Sequence, residues 1–394
     1  MKLTISDVVY RGQGLGRADG QVVFVPDTLP GEEVEAEVVR QARNFAQARL
    51  VRVLQPSPAR IAPACPLAGA CPGCRYQHAD YAEEVRLKQA QLANLLARMA
   101  GADPGLCLAP VAAPLDLGYR NKIGLHGAAQ GDGRVLGYFA ADNATVLDVP
   151  HCPLAVPPLN ERLAELRADA AFMAAARDHL SVTLRWTAED GALHWTGKAP
   201  APRPWLTEVS GIGDVRVPRG SFFQVNPPVA DALLAQFLAA LADAPPDALV
   251  DLYCGVGVFA LAAALAGVPR VAGVDADRAA IEAATLNAAD RGLAGVRFRA
   301  GRAEARFREV ARPLRGARWT LLVDPPRAGL AGAVLKEVAA SGPVRLVYVS
   351  CAADTLARDI RRLGELGYRL RSARLLDMFP RTPYFETLAV LGRD

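Results

Sequence analysis

From about residue 220 the chain alternates short, almost wholly apolar runs with helical stretches, and this constrains the fold more than any other feature. The runs are ALVDLY, RVAGVDA, VRFRAG, WTLLVD and RLVYVS. Between them lie VFALAAALA, RAAIEAATLNAADRG, an Ala-rich stretch and TLARDIRRLGEL. Strands that are apolar on both faces and separated by helices predict a mostly parallel sheet covered on each side, a doubly wound α/β fold. The last two runs, YRLRSARLLDMF and ETLAVLG, have no helix between them and predict an antiparallel close. Ligands of such sheets bind at the carboxyl ends of the strands, and each motif that carries chemistry falls at one of those ends.

The first is LVDLYCGVG, Leu249–Gly257. Its glycines permit a tight turn and let a ligand approach the backbone, which makes Tyr253 and Gly255 candidate cofactor contacts. It is not the G-x-G-x-x-G dinucleotide pattern. Eighteen residues past Gly257, Asp275 ends the next strand and is placed to accept from ribose hydroxyls. A glycine loop with a second-strand acid suits a nucleoside cofactor such as S-adenosylmethionine. Cys254, inside the loop, reads as a packing residue. DPPR, Asp324–Arg327, ends another strand; two prolines after an acid make a rigid wall where a planar base edge is read, or a simple strand stop. Cys351 follows LVYVS just before a helix beginning near Asp354. A cysteine there is either buried core or a thiol whose ionised form the helix end favours. Glu386 opens the last apolar strand. A nucleophile and a base in one site would be the sign of covalent catalysis.

The rest of the chain reads differently. Residues 1–54 form short strands separated by Gly-rich turns, RGQGLGRADG among them, and suit a small closed β-barrel of a kind common in nucleic-acid binding. QPSPARIAP, 55–63, reads as a linker. Cys65, Cys71 and Cys74 follow with five and then two intervening residues, and Cys152 stands apart. Clustered thiols with a remote fourth point to metal. An iron–sulfur cluster tolerates that uneven spacing, while zinc more often shows two Cys-x-x-Cys pairs; free thiols remain the third reading. His78 and His151 lie nearby without reading as ligands, and Cys107 reads as a buried small hydrophobe. Tyr81–Ala100 has the periodicity of one plain helix. Residues 110–215 look like strands around a helix ERLAELRADAAFMAAARD, with YRNK, Tyr119–Lys122, either a phosphate contact or an ordinary strand start.

Composition sets outer bounds. The 394 residues suggest two or three domains. Seven unevenly placed cysteines argue against a secreted disulfide framework. No apolar run has the length of a membrane span, and the N-terminus lacks a signal-peptide layout, so a cytoplasmic protein with no membrane partner is expected. Net charge is only +4, but nine arginines fall between Arg291 and Arg318 against Glu304 and Glu309, and Arg40, Arg43, Arg49 and Arg52 carry no acid among them. Such blocks suit a polyanion or are simply a solvated surface.

Taken together, FQVN (223–226), DLYCGVG, DPPR, YVSC and the terminal FPRTPYFE resemble the RNA uracil-5-methyltransferases. The resemblance covers nearly the whole chain. It implies a TRAM-type, OB-like barrel at 1–54, a central α+β domain at 55–219 carrying a 4Fe–4S cluster on Cys65, Cys71, Cys74 and Cys152, and a Rossmann-like S-adenosylmethionine-dependent domain at 220–394. The helix at 81–100 is expected to pack on that last domain. The resemblance further implies that Cys351 attacks carbon 6 of uracil, that carbon 5 takes the methyl group, and that Glu386 removes the carbon-5 proton. Gln224, Tyr253, Gly255, Asp275 and Asp324 would line the cofactor pocket; Phe222 would pack on a flipped base whose edge Asp324 reads. Asp275 stands where the family usually has glutamate, and Arg381 where it commonly has histidine. A TRAM domain with a cluster looks most like the enzymes acting on 23S ribosomal RNA, though tRNA is an alternative target, and the chain is expected to act as a monomer. A non-catalytic RNA-binding factor would need neither Cys351 nor Glu386. A DNA cytosine methyltransferase would carry its cysteine after a proline early in the sheet.

Overall fold

The structure, a computed structural model, describes residues 1–131, 133–176, 180–197 and 205–393. Two compact units divide the chain, and neither is continuous. Met1–Ala93, Leu115–Val182 and Phe379–Phe385 form one; Asn94–Pro114, Thr183–Met378 and Glu386–Asp394 form the other.

In the first unit β1 (Lys2–Val9), β2 (Gln13–Ala18), β3 (Gln21–Pro26), β4 (Glu33–Gln41) and β5 (Phe45–Gln55) close into a barrel, with β4 pairing back onto β1. Alternate residues point inward, and Leu3, Ile5, Val23, Val25, Val34 and three alanines fill the core. The stretch RGQGLGRADG, read as a turn, contains strand β2. Its glycines face inward because nothing larger fits: a Cβ on Gly14 would lie 1.9 Å from Thr28 Oγ1, and one on Gly16 2.6 Å from the Thr4 carbonyl. The proline-rich segment 55–63 is anchored. Arg60 bridges to Ala79 and donates to the fully buried Glu32, which also accepts from the Leu29 and Ser57 amides at 2.9 and 3.2 Å. Burial alone would raise the Glu32 pKa; Arg60 and these amides outweigh it and hold it low.

Helix α1 (Tyr81–Leu95) starts at Asp80, whose carboxylate accepts from the Glu83 amide at 2.8 Å. The single helix read over 81–100 changes at Leu96–Ala100 into a π turn and stops at Gly101, whose φ is 65°. Next comes β6 (Cys107–Val111), an edge strand of the second unit. Cys107 is half-exposed there, not the buried hydrophobe its isolation suggested. Back in the first unit, β7 (Lys122–Gln130), β8 (Gly133–Phe139) and β9 (Val146–Asp148) make an antiparallel meander. The single helix read from residue 161 is two, α2 (Pro157–Ala168) and α3 (Ala170–Ala175), because Asp169 caps the second through the Ala171 and Phe172 amides. The end of that reading, Arg177 and Asp178, lies outside the described residues. After β10 (Ser181–Thr187) and β11 (Gly191–Thr196), β12 (Trp205–Ser210) and β13 (Gly213–Pro218) form a hairpin.

From Thr183 on, β11–β13 included, the chain belongs to the second unit apart from Phe379–Phe385. Its further elements are α4 (Pro227–Asp243), β14 (Ala248–Leu252), α5 (Val258–Leu265), β15 (Arg270–Asp275), α6 (Arg278–Asp290), β16 (Val296–Ala300) and α7 (Ala303–Ala311). They continue with β17 (Trp319–Val323), α8 (Gly332–Ser341), β18 (Arg345–Ser350), α9 (Ala353–Glu365), β19 (Tyr368–Leu376) and β20 (Glu386–Arg393). With β6 they build an eight-stranded sheet of order β16-β15-β14-β17-β18-β20-β19-β6. β16 to β18 run parallel, and β20 is antiparallel to both neighbours, as the missing helix predicted. Every residue of β14 and β17 is buried, the signature of strands covered on both faces. The chain steps outward from β14 to β15 and β16, then returns to lay β17 on the other side of β14. That reversal opens a crevice at the carboxyl ends of β14 and β17. Among the described residues no helix is long and apolar enough to cross a membrane.

Candidate functional site

The crevice is an open cleft lined by Phe222, Phe223, Gln224, Tyr253, Gly255 and Asp324, among others. Its floor is the turn after β14. There Tyr253 and Cys254 donate their amides to the Val274 carbonyl at 2.8 and 3.1 Å, and Tyr253 takes a φ of 71°, a conformation that costs a non-glycine residue energy. Cys254 is buried, as a packing residue should be. Asp275 stands behind the turn: its Oδ2 accepts from the Gly255 amide and its Oδ1 from the Asp277 amide, both at 2.8 Å. It therefore shapes the glycine loop, and each oxygen keeps a further lone pair. Asp277 caps α6 and accepts from Ser221 Oγ at 2.6 Å, which anchors the loop carrying Phe222. Phe222 itself is 69% exposed. Gln224 Oε1 is buried and meets no donor, and neither does either oxygen of the fully buried Asp251. Of these, Gln224 lines the cleft, and an orphaned acceptor there is costly unless a ligand satisfies it.

Cys351, Glu386, Asp324 and Arg327 form one electrostatic cluster at the ends of β17, β18 and β20. Burial first, then Glu386 and Asp324, push the Cys351 thiol up to about 11; Arg327, which shares a hydrogen bond with it, offsets only part of this. The expectation that the following helix favours the thiolate is therefore reversed: two neighbouring acids and desolvation outweigh the helix end. Glu386 is held well above the usual carboxyl range by burial and by Asp324, with Arg327 acting against them. Burial and Asp275 push Asp324 up to about 7. Asp324 belongs to both groups, lining the cleft and facing the thiol.

Arg327 is the residue the sequence reading passed over, although DPPR contains it. The loop beyond it is fastened by Asp359 of α9, whose Oδ2 accepts from the Leu330 amide at 2.7 Å and from Tyr348 Oη at 3.0 Å, while Arg358 donates to the Ala328 carbonyl. Phe223 was also missed as a cleft residue. The Arg185 guanidinium lies 5.9 Å from its ring and is fixed by the buried partner Glu208. Both stand in quoted motifs, Phe223 in FQVN and Arg327 in DPPR, but their partners, Arg185 and Cys351, come from long-range packing that the motifs do not show.

In the first unit the four cysteines gather. Burial raises Cys74 to about 12; Gln77, donating to its sulfur at 3.6 Å, lowers it, and Cys152, Cys71 and Cys65 raise it again. Cys71 rises for the same first reason, with Cys152 and Cys65 adding to it. Four mutually sensed thiols are a donor set that suits a thiophilic metal group. Among the described residues, however, no three His, Cys, Asp or Glu side chains stand in a metal-holding arrangement. His78 is buried beside the loop with Nε2 unpartnered. In YRNK, Tyr119 and Asn121 are buried and Tyr119 Oη donates to the Pro380 carbonyl at 3.0 Å, so that stretch packs as part of the fold.

Comparison with known proteins agrees with this geometry. Residues 213–394 match the family model described as tRNA (Uracil-5-)-methyltransferase, and residues 1–51 match the TRAM domain. The chain is 34% identical, over all of its length and 96% of the relative's, to the 23S rRNA (uracil(1939)-C(5))-methyltransferase RlmD of Alkalilimnicola ehrlichii. It is 30% identical, over 99% of its length and 97% of the relative's, to an uncharacterized RNA methyltransferase of Thermosynechococcus vestitus. Among solved structures, the tRNA (uracil-54, C5)-methyltransferase of Pyrococcus abyssi, in complex with S-adenosyl-L-homocysteine, superposes with a TM-score of 0.76 at 25% identity. The match covers 99% of this chain and 100% of that one. With a barrel matching the TRAM domain, a cleft suited to S-adenosylmethionine and full-length relatives of one kind, the chain belongs to the RNA uracil-5-methyltransferase family.

Proposed function

We propose that this protein methylates carbon 5 of one uridine in 23S ribosomal RNA through a transient bond between Cys351 and carbon 6. The observation that carries this reading is Asp324, shared between the cofactor cleft and the cluster of Cys351, Glu386 and Arg327. S-adenosylmethionine supplies the methyl group as an electrophile. Gln224, Tyr253, Gly255, Asp275 and Asp324 hold it; Phe222, exposed at the rim, stacks on the extruded base. Carbon 5 of uracil is a weak nucleophile until Cys351 Sγ adds to carbon 6. Cys351 reacts as its thiolate: the thiol proton passes to solvent water, Arg327 lowers the cost, and as sulfur bonds carbon 6 the carbon 5–carbon 6 electron pair moves into the enolate that makes carbon 5 nucleophilic. After methyl transfer Glu386, in its carboxylate form, takes the carbon-5 proton; burial and Asp324, which raise its pKa, make that carboxylate more basic than a free one. The sulfur–carbon bond then breaks and the ring double bond returns.

The thiols of Cys65, Cys71, Cys74 and Cys152 would hold a 4Fe–4S cluster whose contribution is to order the loop that carries them. The barrel (1–54) and the central region (55–219) grip RNA, and 220–394 performs the chemistry. The exposed arginines of β16 and α7 add backbone contacts beside the cleft. The ribosomal target is preferred because the full-length relatives named for a substrate act on 23S RNA; the structural neighbour named for tRNA supports the second target, with the same chemistry.

The test is methylation of 23S and tRNA transcripts by the purified protein, read by nuclease digestion and mass spectrometry. 5-Methyluridine in 23S RNA is the expected product; product in tRNA alone would move the target, and none in either would reject the activity. Cys351→Ala should abolish turnover and leave cofactor affinity within about twofold. Glu386→Gln should trap an RNA adduct stable on denaturing gels, and its absence would remove Glu386 as the base.

A further inference from the structure

β16 is an edge strand of the large sheet, and it carries arginines where the strands inside carry apolar residues. Arg297 and Arg299 alternate with the buried Val296 and Phe298, so both leave the sheet on one face. Arg270 reaches that face from β15, since it stands two residues before Ala272, the partner of Arg297. With Glu309 and Val310 of α7 these arginines wall an open pocket of about 350 Å³. Its floor is apolar, made by Leu249, Val271 and Leu314, all buried. The pocket lies wholly in the second unit, at the start of β14, β15 and β16, the end of the strands opposite the cleft.

We propose that this pocket is a second RNA site, which takes one unpaired nucleotide of the substrate strand with its base on the apolar floor and its phosphate on the arginines. The proposal rests on RNA being the substrate. Charge supports it first. Glu309 is the one acid on the wall, and it is divided between Arg299 at 3.3 Å and Arg306 at 2.9 Å. Arg297 donates to the Ala294 carbonyl at 2.6 Å, and among the described residues neither it nor Arg270 has an acidic partner. The carboxyl end of α7 adds only about half a negative charge, which three guanidiniums and one shared carboxylate still exceed. Like charges gathered around a concavity attract an anion. The guanidinium fork matches phosphate, and its plane stacks on a base. Size and floor argue for more than a bare anion: the volume is that of a pocket for an organic ligand, and phosphate alone would leave the apolar floor uncovered.

Placement supports it independently. α7 packs over β14 and β15 and joins the two sites. It begins beside Arg302, which acts on the Tyr253 hydroxyl in the cleft, and ends at the pocket. Its nine residues span about 13 Å at 1.5 Å each. Stacked nucleotides advance about 3.4 Å each, so a strand leaving the cleft along this arginine-bearing helix reaches the pocket about four nucleotides from the target uridine.

The test uses two RNAs cut around the methylated uridine once it is mapped, one keeping about two nucleotides on each side and one about eight, lengths chosen to fall short of the pocket and to pass it. Affinities are measured for the wild type, for the double variant Arg270→Gln with Arg297→Gln, and for Val310→Trp, which fills the pocket. The wild type should bind the long RNA roughly tenfold or more tightly than the short one. Both variants should lose that advantage while binding the short RNA and S-adenosylmethionine as the wild type does. The arginines are exposed, so the double variant serves if the tryptophan variant does not fold. Equal weakening of both RNAs by the double variant, or a long RNA held by Val310→Trp as tightly as by the wild type, overturns the pocket and leaves general attraction. Uridine monophosphate bound by the wild type and lost in the variants, with no effect of RNA length, would make this a mononucleotide site and overturn its role on the strand. A wild type that binds neither RNA would overturn the RNA reading itself, and this inference with it.

Discussion

Asp324 shows how much a single buried acid can set. Burial and Asp275 hold it near 7, against about 3.8 in an unfolded chain. A raised acid favours the folded state least when it is ionised. The penalty is absent below about pH 4, grows as the pH rises from 4 to 7, and is complete above. Asp324→Asn removes the charge but keeps the shape. It should raise stability at pH 8 by up to about 4 kcal/mol, with the gain shrinking toward pH 4; thermal melts across that range read it, and a pH-independent difference would contradict the assignment. The motifs that hold these residues, DPPR and YVSC, were legible because strand-end position is written in local sequence. Their protonation was not. The state of Cys351 depends on Glu386 and Asp324, which lie 35 residues after it and 27 before it, and no local rule about helix ends carries that information.

The glycine loop between β14 and α5 joins local sequence to site geometry. Its two glycines do different things. Gly257 has a φ of 89°, and a Cβ there would come within 2.8 Å of the Phe298 ring and 3.1 Å of Ala284. Gly255 has a φ of 53° with open space where a Cβ would go. Gly257→Ala should therefore destabilise by more than 2 kcal/mol. Gly255→Ala should cost only about 1 kcal/mol from its backbone yet weaken S-adenosylmethionine binding, because the added methyl points into unfilled space at the cleft. Melting temperature and cofactor titration separate the two, and equal effects on both would refute the division. The parallel strands were readable from their unbroken apolar runs. The breaks at Leu96 and Asp169 and the edge strand β6 were not. A π turn and a cap depend on a few backbone bonds, and β6 pairs with a strand some 260 residues away, Cys107 standing opposite Ala373.

The chain crosses between its two units repeatedly, so sequence boundaries at 54 and 219 describe composition better than they describe compactness. The seven residues before Glu386 are the clearest case: sequence places them with the last strands, structure with the barrel unit. Charge distribution is the other property that belongs to the whole. Arg299 and Arg306 share Glu309, and Arg302 pairs with Glu304, but Arg308, Arg312 and Arg315 are exposed with no acidic partner among the described residues. Arg302 lies close enough to Tyr253 to act on its hydroxyl, so this face begins at the cleft. If it meets phosphate, each arginine lost should lower the slope of log affinity against log salt by about 0.7–0.9. Replacing Arg308, Arg312 and Arg315 with glutamine should then reduce that slope by about 2, raise KM for RNA severalfold at moderate salt, and leave S-adenosylmethionine affinity as it was. An unchanged slope would return these arginines to an ordinary solvated surface and leave RNA binding to the barrel and the cleft alone.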